Sequence, residues 1–283
     1  MDRGNVAIAS LGLLISGLGL GGQSASAAVS AQDGFSADGT PELHFELAPY
    51  VWLPASSGQI ILGNGAQVDI DQGVPTVSEL SSTLQSAFMG VGLVRYGRWS
   101  GVLDIQYVSV SQNTGLPALV PGVTRNIDLD VNEVRIAPGV GYQLYNGNMG
   151  TAPATLDGRV GFAWLQTEES LKLNQTGPAG NTRIRELNHI NGFVQPWMSL
   201  AGAVYPWEHW RFEAGALVQG FGVSGGSWGW GASVVATWAA NDWLNVSAGY
   251  RALHTDREEP SSAKIRSIDV TAYGPMVGVG FSF

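Results

Sequence analysis

The four histidines of the chain are the side chains best suited to act as a general base, and one stands in a suggestive grouping. His254, Thr255 and Asp256 are consecutive and combine a base, a hydroxyl and an acid. A catalytic hydroxyl has to lie within hydrogen-bond reach of its base. Successive residues of a β-strand point to opposite faces, so in a strand Thr255 faces away from both neighbours. We therefore expect no catalytic residues, and a lipid-modifying enzyme built on this grouping stays an alternative.

No other residues suggest a cofactor or a metal. Cysteine is absent, so disulfides and thiol chemistry play no part. The sequence shows no glycine-rich phosphate loop and no spaced cluster of metal ligands, so we expect no cofactor and no metal site. Asp128 and Asp130 come nearest to a divalent-cation site, but we interpret them as solvated loop charges. The net charge of −9 argues against nucleic acid as a partner.

The composition indicates a protein whose surface is largely not in water. Charged residues make up 13% of the chain, against about 25% in soluble domains. Beyond the N-terminal segment, no stretch has the roughly 18 consecutive apolar residues that a membrane-spanning helix needs. A closed β-barrel can hide its apolar residues in alternation and pairs its backbone groups internally. The sequence thus predicts an all-β fold, a transmembrane antiparallel up-and-down β-barrel.

Short and long connections alternate along the chain, as they do in outer-membrane barrels. Tight turns are predicted at Gly97-Arg98, Asn146-Gly147, 206–209 and Asn241-Asp242, which hold turn-forming residues. Longer connections are predicted at 54–83, 112–124, 172–183, 223–227 and 258–263. The ten predicted strands cover 42–53, 84–96, 99–111, 125–145, 153–171, 184–206, 209–222, 228–239, 243–257 and 264–283. A further strand or external hairpin at 59–70 and a short helix at 77–84 stay open, so 8–12 strands remain compatible with the sequence.

Charged residues fall on one face of strands whose other face is apolar. In 209–222, for example, Arg211 and Glu213 alternate with Trp210 and Phe212. A basic side chain facing lipid at mid-membrane costs about 2–4 kcal/mol, so the charged face must line the lumen. The predicted lumen charge network consists of Glu46, Asp104, Glu133, Arg135, Asp157, Arg159, Arg211, Glu213 and Arg251. Opposite charges that neutralise one another inside a narrow barrel are the favoured interpretation; a narrow aqueous pathway is the alternative.

The tryptophans of strand 228–239 predict the membrane boundaries. Trp228, Trp230 and Trp238 share one face, with Val234 between them. Ten residues at a rise of ~3.3 Å and a tilt of ~40° span roughly 25 Å, the height of the apolar band of such barrels. The predicted aromatic girdle consists of Trp99, Tyr107, Trp164, Trp210, Trp228, Trp230, Trp238 and Phe283.

The N-terminus predicts export. Arg3 supplies a positive charge, Val6 to Leu20 is an apolar stretch, and Ala25-Ser26-Ala27 offers the small-x-small pattern of a cleavage site. We therefore expect a signal peptide over 1–27, a flexible periplasmic lead-in over 28–41 and an outer-membrane barrel over 42–283.

The C-terminal strand alternates apolar and small residues and ends on Phe281, Ser282 and Phe283. A terminal strand of this kind resembles the signal read by the machinery that assembles outer-membrane barrels. The resemblance implies that machinery as a partner, through Phe281 and Phe283.

Several short motifs resemble a widespread family of uncharacterised outer-membrane β-barrel proteins of Gram-negative bacteria. Residues 48–54 (APYVWLP) are similar to the opening strand of that family, Gly249-Tyr250-Arg251 to a later strand, and 274–283 (GPMVGVGFSF) to its last strand. The matches spread over roughly 45–283. The resemblance implies a barrel in the outer membrane, in contact with outer-membrane lipids, and it implies no activity.

These features predict an integral outer-membrane barrel with a structural or surface role and at most a narrow porin-like pathway. Ten strands are well below the roughly 16–18 of general porins, which argues against a wide channel. The alternatives are a small-solute channel, the lipid-modifying enzyme, and an adhesion barrel that acts through its loop at 112–124. The oligomeric state is left open.

Overall fold

The computed structural model describes residues 40–62, 65, 67–76, 84–116, 124–176, 182–223, 227–258 and 265–283. The predicted signal peptide and nearly all of the predicted lead-in lie outside these residues, as does most of the helix considered for 77–84. Among the residues that are described, no helix is long and apolar enough to cross a membrane.

The described part of the chain is built from twelve β-strands in one sheet. The strands are β1 (Leu43–Trp52), β2 (Ala55–Leu62), β3 (Gln67–Gln72), β4 (Leu84–Tyr96), β5 (Trp99–Leu116), β6 (Thr124–Met149), β7 (Ala152–Thr176), β8 (Thr182–Trp207), β9 (Trp210–Gln219), β10 (Trp228–Ala239), β11 (Leu244–Glu258) and β12 (Ile265–Ser282). Buried and exposed residues alternate along these strands, as they do in β10, so one face is turned inward and the other outward.

Ten of these strands close into a barrel. Each strand from β4 to β12 pairs antiparallel with the next, and β1 pairs with β4 on one side and with β12 on the other. The ring therefore consists of β1 and β4–β12, and the pairing of β1 with β12 closes it without a free strand edge at that point. The predicted antiparallel up-and-down barrel of about ten strands is confirmed.

The two remaining strands extend the wall as a hairpin. β1 pairs with β12 as far as Trp52–Met276, and β2 resumes the same ladder at Ala55–Tyr273. The interruption falls at Leu53-Pro54, where proline has no N–H to donate. β3 then folds back along β2. Of the alternatives left open for this region, the structure contains the external hairpin.

Short turns join the strands at one end of the barrel, here called the turn end; longer connections lie at the other, the loop end. The connection predicted to open at Asn146-Gly147 lies between β6 and β7 but opens later than expected, because β6 continues to Met149 and the chain reverses at Gly150-Thr151. Asn146 and Gly147 remain paired with β7. Gly150 adopts a φ of 66°, a left-handed conformation that favours glycine.

Two connections predicted as long loops are partly strand. β5 extends to Leu116 and β6 begins at Thr124, within the predicted loop 112–124. β7 and β8 likewise extend into the predicted loop 172–183. Lys172 and Asn174, both in the predicted loop 172–183, lie in the β7 ladder. Asp128, which the sequence analysis interpreted as a loop charge, lies in β6 opposite Lys172 and accepts a hydrogen bond from the Asn174 amide (2.6 Å).

Inside the barrel, Trp197 of β8 lies against two glycines of the neighbouring strands. Gly139 and Gly161 are paired in the β6–β7 ladder, and the indole covers both. A Cβ at Gly161 would lie 2.7 Å from the Trp197 ring and 2.2 Å from the Pro138 carbonyl oxygen. Only glycine leaves room for the tryptophan at this level of the wall.

We expect Gly161→Ala to lower the free energy of unfolding by about 1–3 kcal/mol, because the added methyl overpacks the wall against Trp197. Gly192→Ala is the matched control, since its Cβ would make an ordinary contact with the Leu165 carbonyl at 3.5 Å. Urea titration of the barrel in lipid vesicles, followed by tryptophan fluorescence, measures both. Equal unfolding midpoints for the two variants would contradict the packing described here.

Candidate functional site

The nine residues of the predicted lumen charge network all lie inside the barrel, and none is more than 7% exposed. A tenth charged residue, Arg95, lies among them at 5% exposure and was missed from the sequence. The signal for Arg95 was present in its strand, where it alternates with the outward Val94 and Tyr96. These ten side chains form two clusters at different depths.

The turn-end cluster consists of Glu46, Arg95, Asp157, Arg159, Arg211 and Glu213. Asp157 lies between two arginines, with its Oδ2 2.9 Å from Arg95 Nη2 and 3.6 Å from Arg159 Nη2. Arg211 forms an ion pair with Glu213, two residues along the same inward face. The three arginines and three carboxylates cancel formally, which a set of buried charges requires.

The loop-end cluster consists of Asp104, Glu133, Arg135 and Arg251. Arg135 is fully buried and donates from Nη1 to Asp104 Oδ2 at 2.8 Å. The Tyr50 hydroxyl donates to the other carboxylate oxygen at 3.1 Å. Gln106 Nε2 donates to the Tyr50 oxygen at 2.8 Å and to Asp104 Oδ2 at 3.1 Å. Asp104 thus accepts hydrogen bonds from residues of three strands, β6, β1 and β5, and its negative charge is well compensated.

The second arginine of this cluster is held by aromatic residues of β1. Arg251 lies beside the Tyr50 hydroxyl, and its guanidinium lies 5.0 Å from the centroid of the Trp52 ring. Glu133 precedes Arg135 by two residues on the same inward face and attracts that guanidinium electrostatically. Two arginines and two carboxylates again cancel formally. Tyr50, Trp52 and Gln106 were not predicted as part of the network.

An apolar layer separates the two clusters. On β1, for example, Ala48 lies between Glu46 and Tyr50 on the inward face, and on β5 Val102 lies just before Asp104. The buried side chains of this layer belong to one packed group: Ala48, Leu93, Val102, Ala137, Ala163, Trp197, Leu217, Val235 and Met276. The inward face is therefore mainly apolar between the two clusters.

The predicted His254 grouping does not form a catalytic relay. Thr255 is buried and faces inward, whereas His254 faces outward. His254 Nδ1 lies 3.1 Å from the Thr271 hydroxyl and 3.9 Å from Asp269 Oδ1, so both contacts involve the same ring nitrogen. A general base needs one nitrogen for the hydroxyl and the other for the orienting acid. The ring instead stacks on Trp230, with centroids 5.8 Å apart.

The predicted girdle residues lie on the outside of the barrel at two levels, each at least partly exposed. Trp99, Trp210, Trp238 and Phe283 lie near the turn end, and Tyr107, Trp164, Trp228 and Trp230 lie toward the loop end. Trp207 and Trp243 are also exposed beside the short turns, and the sequence analysis did not include them. The part of the chain that is described contains no group of three or more side chains arranged to hold a metal ion.

No protein-family model matches the chain, and no curated protein matches it either. Among solved structures, it is similar to the outer membrane protease OmpT from Escherichia coli (9% identity, TM-score 0.48, 85% of this chain and 96% of that one). It is also similar to Neisserial surface protein A (10%, 0.30, 85% and 97%). Ail of Yersinia pestis shows a comparable likeness (10%, 0.28, 86% and 99%). The likeness concerns the barrel fold, and no activity of these proteins is attributed to this chain.

Removing one partner of the buried Asp104–Arg135 pair leaves an uncompensated charge. We expect Asp104→Leu to lower the free energy of unfolding by about 3–5 kcal/mol, and the double change Asp104→Leu/Arg135→Leu to recover part of that loss. Urea unfolding in lipid vesicles measures both variants against the unchanged protein. A double variant that is no more stable than the single one would show that the two side chains do not compensate each other.

Proposed function

We propose that the protein is an integral barrel of the bacterial outer membrane with a closed lumen, and that it serves as a surface scaffold rather than as a channel or an enzyme. The observation that carries this proposal is the layered lumen. Two charge clusters, each formally neutral, lie on either side of an apolar layer. Ion pairs hold four of the five arginines of the clusters, and the layer between the clusters opposes a continuous column of water.

The outer surface supports the membrane position. Large apolar side chains are exposed all around the barrel, among them Leu47, Leu103, Phe162, Val234 and Val277, each at 40–60%. A soluble protein rarely leaves so wide an apolar surface in water. On β10, the outward tryptophans from Trp228 to Trp238 span roughly 25 Å at a strand tilt of ~40°, which matches the apolar band of outer-membrane barrels.

Export and assembly complete the proposal. The predicted signal peptide at 1–27 delivers the chain to the periplasm, which places the turn end on that side and the loop end outside. Phe283 exchanges two backbone hydrogen bonds with Phe45 (3.1 and 2.9 Å), so the last residue of the chain helps close the ring. Recognition of Phe281 and Phe283 by the assembly machinery would thus act on the strand that closes the barrel. We further propose that the barrel contacts lipids of the outer membrane and binds no nucleic acid.

The absence of catalysis is part of the same proposal. Both polar contacts of His254 use one ring nitrogen, and Asp104, Asp157 and Glu213 of the lumen are each held in an ion pair with an arginine. A narrow pathway is the second candidate function, favoured by the fact that the inner wall is polar on both sides of the apolar layer. Conductance separates the two.

We expect the protein to be electrically silent in a planar bilayer, and a variant with a polar central layer to conduct. Leu93→Ser, Val102→Ser and Met276→Ser together replace three buried side chains of that layer with small hydroxyls. The control carries Leu93→Ala, Val102→Ala and Met276→Ala, which open nearly the same space as the serines and keep the layer apolar. A stable conductance in the unchanged protein would reject the closed scaffold in favour of the pathway, and conductance in the control would show that space rather than polarity closes the lumen.

A further inference from the structure

Two adjoining apolar grooves run over the outside of the barrel near the turn end. The larger has a volume of about 910 Å³ and crosses β6–β11. Its floor is made of small residues, among them Gly202, Ala214 and Ala236, while Leu156 and Phe212 stand along it. The volume falls in the range of about 300–1,000 Å³ that is typical of small-molecule sites.

The second groove, of about 560 Å³, lies beside the first on β5–β9. Where the larger groove is lined by Leu156, Gly202 and Ala214, the smaller one is lined two residues further along the same strands, by Gly158, Leu200 and Ala216. Two residues correspond to about 6.6 Å along a strand. The barrel surface therefore offers two neighbouring apolar tracks of similar direction.

The length of the tracks matches one membrane leaflet. Each groove extends across the strands: the larger crosses six strands and the smaller crosses five. At ~4.8 Å between neighbouring strands these are roughly 24 and 19 Å, and because the cross-strand direction lies ~50° from the membrane normal when strands tilt by ~40°, they correspond to about 15 and 12 Å along the normal. Half of the hydrocarbon core is also about 15 Å. The tracks begin beside the Gly150-Thr151 turn, so they lie in the leaflet next to the turn end.

A cationic side chain stands at that end of the tracks. Arg98 is exposed in the Gly97-Arg98 turn, immediately before Trp99, which lines the smaller groove. Its carbonyl accepts a hydrogen bond from the Gln143 N–H (2.8 Å), which holds the turn beside β6, next to Leu144 and Tyr145 of the two grooves. Among the described side chains, Arg98 forms no ion pair.

We propose that the two grooves hold the acyl chains of one glycerophospholipid of the periplasmic leaflet, with its phosphate near Arg98. The inference rests on the proposed membrane position and specifies which lipid site the barrel offers. Apolar tracks of leaflet length suit two hydrocarbon chains, and a guanidinium at their polar end suits a phosphate. The outward side chains along the tracks offer a polar ligand few partners, since they are almost all aliphatic or aromatic.

The test measures retained lipid. The full-length protein, extracted from membranes and reconstituted into vesicles of equal parts phosphatidylethanolamine and phosphatidylglycerol, is released in mild detergent and weighed by native mass spectrometry. We expect a phospholipid to stay bound to the unchanged protein. Gly202→Leu/Ala214→Leu fills the floor of the larger groove and should lower the bound fraction about tenfold, which corresponds to about 1.4 kcal/mol. Arg98→Gln should lower it about twofold to fivefold, as loss of one exposed charge contact does.

The matched control is Ala232→Leu/Ala252→Leu. These alanines are cross-strand neighbours on the outward face of β10 and β11, like the tested pair on β8 and β9, and line neither groove. The control should retain lipid like the unchanged protein. The lipid site would be overturned if both double variants lost the same fraction of bound phospholipid, or if both retained it. It would also be overturned if filling the groove changed the oligomeric state while the phospholipid stayed bound. Failure of the unchanged protein to float with the vesicles would instead overturn the membrane position.

Discussion

A charge enclosed by a barrel wall costs several kcal/mol unless a partner of opposite sign lies beside it. Four arginines and three carboxylates meet this condition in the present barrel, through the ion pairs Arg95–Asp157, Arg159–Asp157, Arg135–Asp104 and Arg211–Glu213. The partners come from different strands: Arg95 of β4 reaches Asp157 of β7, and Arg135 of β6 reaches Asp104 of β5. The pairing therefore depends on the strands having one register around the ring.

That dependence links the polar interior to the rest of the fold. A shift of a strand by one residue would turn its arginine to the lipid and its apolar residues to the lumen, at a cost on both faces. The barrel ladder is continuous from β4 to β12, and β1 closes it through Phe45 and Phe283. Close packing between the clusters also depends on the strand register, because Trp197 can lie across the wall only where Gly139 and Gly161 are paired. Charge pairing, register and packing thus support one closed lumen.

The sequence was informative wherever two faces contrast. Alternation of Arg211 and Glu213 with Trp210 and Phe212 is enough to predict which face of β9 lines the lumen and which faces outward. Arg95 escaped notice because its inward neighbours Leu93 and Val91 are apolar, so its strand offers no second charge to reveal the lumen face. Which charges pair could not be predicted either, since partners such as Arg95 and Asp157 are far apart in sequence and meet only through the register of intervening strands.

Strand ends were harder to predict than strand faces. Asn-Gly is a strong turn signal, yet Asn146-Gly147 stays in the ladder and Gly150 makes the turn three residues later. At the loop end, water can solvate the outward side chains, so polar residues such as Asp130 and Lys172 are compatible with strand and loop alike. Only the pairing of the backbones, as between Ser111 and Asp130, decides between the two.

The most direct test of the closed, charge-paired lumen is an experimental structure of the protein in a lipid bilayer, at a resolution that shows side chains and ordered water. Our account predicts Arg95 beside Asp157, Arg135 beside Asp104, and no water between the clusters at the level of Leu93, Val102 and Met276. A continuous file of water from the turn end to the loop end, with these arginines directed toward it, would contradict the account.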